Sequence, residues 1–172
     1  MNEHDTYSDA HIRDILSSVK SIAMIGASSN TVRPSYFALT YLLAKGYTVH
    51  PINVGHAGKR IAGSMTYASL ADLPGPVGMI DIFRRAEALP GIVSEIMRMP
   101  QLPKVVWLQL GIRDDAIAKA LEMAGITVIQ NRCPKIEYGR LCGEIAWAGV
   151  NRRIISAKKP VLKPGYQHFS IA

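Results

Sequence analysis

Residues 24–36 read MIGASSNTVRPSY, and the reading of this stretch decides the fold. It opens inside the apolar run SIAMI, Ser21 to Ile25, which stops at Gly26. A wholly apolar run of this length is the pattern of a strand covered on both faces. It closes on SYFALTYLLAK, Ser35 to Lys45, where Phe37, Tyr41 and Leu42, and Ala38 and Leu42, recur at helical spacing before Gly46. A glycine just past the last periodic residue is a helix stop. The strand YTVHPI, Tyr47 to Ile52, follows, so the first fifty residues form a strand, polar loop, helix, strand unit.

Working outward, Asp9 to Val19 reads as a short amphipathic helix. VGMIDIF, Val77 to Phe83, KVVWLQL, Lys104 to Leu110, and ITVI, Ile126 to Ile129, read as further strands. Between them lie helices over Leu89 to Met97, with Pro90 tolerable in the first turn, and Asp114 to Ala124, whose leading aspartates suit a positive N-terminal end. A closing helix is expected from Glu137 to Ala148. Alternating strands and helices specify an α/β fold: a Rossmann-like, doubly wound parallel sheet of about five strands with helices on both faces. Residues 1–150 are expected to form one domain, and residues 151–172 a basic C-terminal tail packed on the body or on a partner.

The chain has 172 residues, 48% of them hydrophobic, which suffices for one sizeable core. The start, MNEHDTYSDAHIRDIL, has early acids and no apolar centre, unlike a signal or transit peptide. No uncharged apolar run is long enough to span a bilayer, so a cytoplasmic protein without a membrane partner is expected. Cys133 and Cys142 are too few and too far apart for a metal cluster, and read as packed, reduced thiols. A net charge of +7 points to an anionic partner. Nucleic acid would require stacking aromatics interleaved with the cations; aromatics make up 7%, and the cations are scattered over loops.

In an open α/β sheet, ligands bind beyond the C-terminal strand ends where the strand order reverses. The segments after the five strands are GASSNTVRPS, NVGHAGKR, RR, GIRDD and QNRCPK. In the first, Gly26 allows close approach and Ser28, Ser29 and Asn30 supply donors. Arg33 adds a charge, and the helix beginning near Ser35 directs its unpaired N–H groups to the same space, an anion site. The plainer alternative is a turn-forming cluster with Ser35 as N-cap.

A dinucleotide site of the NAD type would need GxGxxG and an acid at the end of the second strand. Neither is present: that strand ends His50, Pro51, Ile52, Asn53, and Lys59 and Arg60 follow. A basic loop there suits an adenosine with an extra ribose phosphate, which NADP carries at the 2′ and coenzyme A at the 3′ position. Composition and spacing leave both open.

GASSNTVRPSY, GYTVHPIN, VGMIDIFRR, VVWLQLGI and NRCP, in this order, resemble the stand-alone CoA-binding protein family. That family is similar to the N-terminal, CoA-binding domain of the succinyl-CoA synthetase α subunit. The likeness covers about Ser21 to Leu141. It implies that Gly26, Ala27, Ser28, Arg33 and Ser35 meet the CoA phosphates. It also implies that Asn53 and Lys59 lie near the adenosine and its 3′-phosphate, and that Gln109, Leu110 and Gly111 contact CoA beyond the fourth strand. Asn131 to Pro134 matches a structural turn. Relatives usually have Asn-Pro where this chain has Asn53-Val54, and often an acid at the position of Gly78. The synthetase's phosphorylated histidine and nucleotide grasp have no counterpart of sufficient length here. The resemblance therefore implies a small-molecule binder of coenzyme A or an acyl-CoA, an accessory or non-catalytic module, with a homo-oligomer or a partner enzyme possible. An NADP-dependent oxidoreductase is the alternative.

A catalytic centre finds little support in the remaining residues. His4, His11, His56 and His168 read as surface residues and His50 as a hydrogen-bonded edge residue. Asp81, a carboxylate in an apolar strand, needs a partner, for which Arg84 and Arg85 are nearest in sequence. Cys133 beside Lys135 is the local candidate nucleophile, with packing the plainer role.

Overall fold

The computed structural model describes residues 4–144 and residue 171. In chain order the elements are α1 (Asp9–Ser18), β1 (Ser21–Ile25), α2 (Pro34–Ala44), β2 (Thr48–Ile52), β3 (Arg60–Ile61), β4 (Ser64–Met65) and β5 (Met79–Ile82). They continue with α3 (Leu89–Ile96), β6 (Val105–Leu108), α4 (Asp115–Met123), β7 (Thr127–Ile129) and α5 (Pro134–Leu141).

Five strands form one parallel sheet in the order β2-β1-β5-β6-β7. The register aligns Met24, Asp81, Trp107 and Ile129 in one row across β1, β5, β6 and β7. Because side chains alternate along a strand, the neighbouring rows face opposite ways. Ile22, Met24, Trp107 and Ile129 pack with Ile12, Leu16, Leu39, Leu42 and Tyr138, from α1, α2 and α5. Ala23, Ile80, Val106 and Val128 pack with Leu89, Ile92, Ile96, Ala118 and Leu121, from α3 and α4. Both sheet faces are therefore covered by helices, and the doubly wound α/β fold expected from the apolar runs is the fold observed.

Local chemistry fixes the helix starts. Ser8 Oγ accepts from His11 N at 3.2 Å to begin α1. Asp114 Oδ1 accepts from Ile117 N at 3.0 Å to begin α4. The last helix starts at Pro134, earlier than the expected Glu137, because proline is pre-set for a first helical position. Its helical span ends at Leu141, and residues 145–148 of the expected span lie outside the described residues. So does the basic tail, except Ile171, whose side chain is buried and whose carbonyl accepts from Arg13 Nη1 at 3.3 Å.

The antiparallel hairpin of β3 and β4 was not anticipated from the sequence. Its two turn residues, Ala62 and Gly63, have φ of 48° and 85°. Such a turn favours Asn or Gly at both positions, so an alanine at the first conceals it.

Candidate functional site at the sheet switch point

From β1 the chain passes to β2 on one side and then returns to β5, β6 and β7 on the other, so the order reverses between β1 and β5. The loops leaving those two strands meet at Gly26. Its φ is +83°, and a Cβ there would sit 2.6 Å from the Phe83 carbonyl oxygen and 3.1 Å from Arg84 Cδ. Glycine is required on both counts: a left-handed backbone and contact with the neighbouring loop. The aliphatic stem of Arg84 is thereby laid against the first loop.

That loop is folded by its own polar side chains. Ser28 Oγ accepts from Asn30 N at 3.1 Å, and Asn30 Oδ1 accepts from Val32 N at 3.1 Å. Asn53, after β2, ties it to the second loop. Its Nδ2 donates to the Ala27 carbonyl at 2.7 Å while its Oδ1 accepts from Gly55 N at 2.9 Å. Ser29 Oγ and His56 Nε2 add a second link at 2.9 Å. His56, expected as a plain surface residue, is half-buried in this junction. Only the tertiary fold reveals that role.

The N-terminus of α2 faces the same region. Its cap is Arg33, without a side-chain cap bond, and Pro34 takes the first helical position. Ser35 is inside the helix and 5% exposed, so the alternative in which it caps the helix is corrected. Proline's fit to the first turn moves the boundary one residue earlier.

Beyond Pro34 a cleft of about 810 Å³ opens over the ends of β5, β6 and β7. Its walls include Phe37, Phe83 to Glu87, Gln109 to Ile112, and Cys133, Lys135 and Ile136. The ten expected site residues thus fall into three places. Gly26, Ala27, Ser28, Arg33, Ser35 and Asn53 belong to the paired loops and the start of α2. Gln109, Leu110 and Gly111 line the cleft. Lys59 stands at the outer edge beside the hairpin, where its carbonyl accepts from Thr66 N at 2.9 Å. A second hollow of about 780 Å³, between Leu70–Pro76 and Glu95–Gln101, lies at the opposite strand ends. Its carboxylate, Glu95, already accepts from Leu70 N.

The charges are distributed unevenly. Arg113 is paired with Asp5 and Asp115, and Arg132 stands 3.8 Å from Glu137. Arg33, Lys59, Arg84 and Arg85 make no ion pair among the described residues. Arg84 and Arg85 follow the third expected strand at a ligand-facing edge, yet no ligand contact was expected of them individually and their expected partner was Asp81. Asp81 instead accepts from Gln109 Nε2 at 2.8 Å, because its side chain lies on the buried face beside Met24 and Trp107. Burial pushes its carboxyl up to about 7, opposed by the Gln109 hydrogen bond. Burial also raises the Cys133 thiol, which is 9% exposed. A buried thiol pushed up in this way is a packing residue rather than an activated nucleophile. The Asn131–Pro134 turn is structural: Asn131, at φ 52°, accepts from Gly111 N at 2.8 Å through Oδ1. His50 lies on the edge strand with its ring 5.7 Å from that of Tyr67, and burial lowers its pKa.

A glycine-tight turn, a helix N-terminus and unpaired cations around a switch-point cleft define a Rossmann-like domain suited to a phosphorylated ligand. Residues 20–139 match the CoA binding domain family, and the chain belongs to it. It is 30% identical over 131 residues to the uncharacterized protein YneT of Bacillus subtilis, spanning 76% of this chain and 94% of that one. A Thermus thermophilus protein, cell-free ID.343, has a similar structure, with 39% identity and a TM-score of 0.73 over 78% of this chain and 98% of that one. A hypothetical protein from Pyrococcus horikoshii OT3 shares 31% identity with a TM-score of 0.75, over 83% and 98%. Among the described residues, no helix is long and apolar enough to cross a membrane.

Proposed function

We propose that this chain binds coenzyme A or an acyl-CoA as a cytoplasmic, accessory binding module. The observation that carries the reading is the close approach of Gly26 to the Phe83 carbonyl and to the side-chain stem of Arg84. It lays an unpaired arginine beside a loop that only glycine permits. The residues fit the coenzyme's chemistry. Its diphosphate is matched by the Gly26–Ser28 turn, Arg33, Arg84 and the α2 N-terminus at Ser35. Its adenosine and 3′-phosphate are matched by Asn53 and Lys59, and its pantetheine arm by the cleft wall at Gln109, Leu110 and Gly111. Bound coenzyme supplies a thiol that carries acyl groups as thioesters. The chain's own residues bind and orient it, and the buried Cys133 adds no nucleophile.

A thermal-shift series with CoA, dephospho-CoA, acetyl-CoA, NAD and NADP at matched ionic strength tests this. A ligand at a hundred times its dissociation constant stabilises by about 2.7 kcal/mol, roughly 5 to 10 °C for a chain of this size. The expected result is a shift with CoA that shrinks with dephospho-CoA. A shift with NADP alone would replace the reading with a reductase.

A further inference from the structure

We propose that the far end of the cleft is a subsite for an aliphatic acyl group, making longer acyl-CoA thioesters the preferred ligands. This rests on the CoA reading above and specifies it. Phe37, Leu110 and Ile136 are 51%, 56% and 41% exposed, yet all three line this one cleft. Large exposed apolar side chains gathered in a concave site, with a few polar groups at one end, are the pattern of a small-molecule pocket. A volume near 810 Å³ lies within the usual range for such pockets.

Polarity changes along the cleft in a way that orients the ligand. The unpaired Arg84 and Arg85, with Glu87, line the β5 side of the cleft, and the unpaired Arg33 and Lys59 lie outside it toward β1 and β2, where the CoA reading puts the phosphates. From there the pantetheine arm has one direction over the sheet, across β5 toward β6 and β7. The wall it reaches is Leu110, Cys133 and Ile136. Lys135 is in this wall, but its Nζ lies 5.2 Å from the Tyr41 ring centre, held against an aromatic face. With its ammonium already stacked, this end suits a hydrocarbon chain better than a second carboxylate. The floor agrees: the Gln109 amide donates to Asp81, and burial pushes the Cys133 thiol up, away from its charged form.

Calorimetric titration of the full chain with CoA, acetyl-, butyryl-, octanoyl- and malonyl-CoA tests the assignment. Burying one methylene multiplies affinity by up to about fourfold. Octanoyl-CoA is therefore expected to bind at least about tenfold more tightly than acetyl-CoA, with malonyl-CoA no tighter than acetyl-CoA. In Ile136→Ser, at a partly exposed position on α5, the octanoyl to acetyl ratio should fall toward one. Far-ultraviolet circular dichroism would confirm that the variant is folded. A flat chain-length series with CoA still bound would overturn the acyl subsite and leave the CoA reading standing. Failure of every thioester and of CoA itself would remove the reading beneath it. A ligand-free dimer in sedimentation, dissociated by Ile136→Ser, would give the apolar wall to a second copy and overturn the subsite as well.

Discussion

Gln109 Nε2 donates to Asp81 Oδ1 at 2.8 Å, and the other carboxylate oxygen, Oδ2, is buried without a hydrogen-bond partner. The pair joins the cleft lining to the middle of the sheet: Gln109 lies past the end of β6, and Asp81 is inside β5. One bond to a neutral amide does not replace the water that a carboxylate loses on burial, so the protonated acid is favoured.

Stability should therefore depend on pH through Asp81. Its ordinary pKa of 3.8 rises to about 7 in the fold. Between these values the native chain retains a proton that the unfolded chain has released. The contribution is full below pH 4 and is lost as pH rises through 7. Asp81→Asn removes the titration. The stability of the variant relative to wild type should grow between pH 4.5 and pH 8, by on the order of 3 kcal/mol. Guanidinium melts at the two pH values measure it, and parallel slopes for both proteins would refute it.

Gly26→Ala should be strongly destabilising. The added Cβ meets the Phe83 carbonyl at 2.6 Å with φ at +83°. A loss of at least about 2 kcal/mol is expected, since neither backbone yields cheaply. CoA affinity should fall with it, as the turn and the Arg84 stem move together. Denaturant unfolding and CoA titration of one preparation would show both effects.

Asn53→Ala removes the cap on Gly55 N and the bond to the Ala27 carbonyl. A cost of about 1 to 2 kcal/mol in stability is expected. Asn53→Asp keeps an acceptor for Gly55 N but sets a carboxylate against the Ala27 carbonyl. It should weaken CoA binding at least as much as the alanine variant, which calorimetry can compare directly.

The cations can be separated by ligand. Arg33→Ala and Arg84→Ala should each weaken CoA and dephospho-CoA alike by roughly tenfold or more, the effect of a lost charged hydrogen bond. Lys59→Ala should weaken CoA while leaving dephospho-CoA nearly unchanged. Equal effects on both ligands would move the 3′-phosphate away from Lys59.

The five strands of the parallel sheet, their burial on both faces and the loop that follows β1 were determined by the sequence alone, whereas the β3–β4 hairpin was not. SIAMI and VVWL are apolar at every position but the first serine, and only a sheet covered twice accommodates such runs. The need for glycine at residue 26 was legible too, as a strand-ending residue before a polar loop. Tertiary structure decided which loops meet. The adjacency of β1 and β5 brings Arg84 against Gly26, and the fold separates it from Asp81, although Arg84 and Arg85, three and four residues on, are the nearest cations to Asp81 in sequence. Alternation along the strand explains that last point: Asp81 faces Met24 and Trp107 inside the sheet, while Arg84 and Arg85 lie past its end in solvent. Side-chain partners across a parallel sheet come from segments distant in the chain, so register and strand order select them, and local spacing carries no record of either.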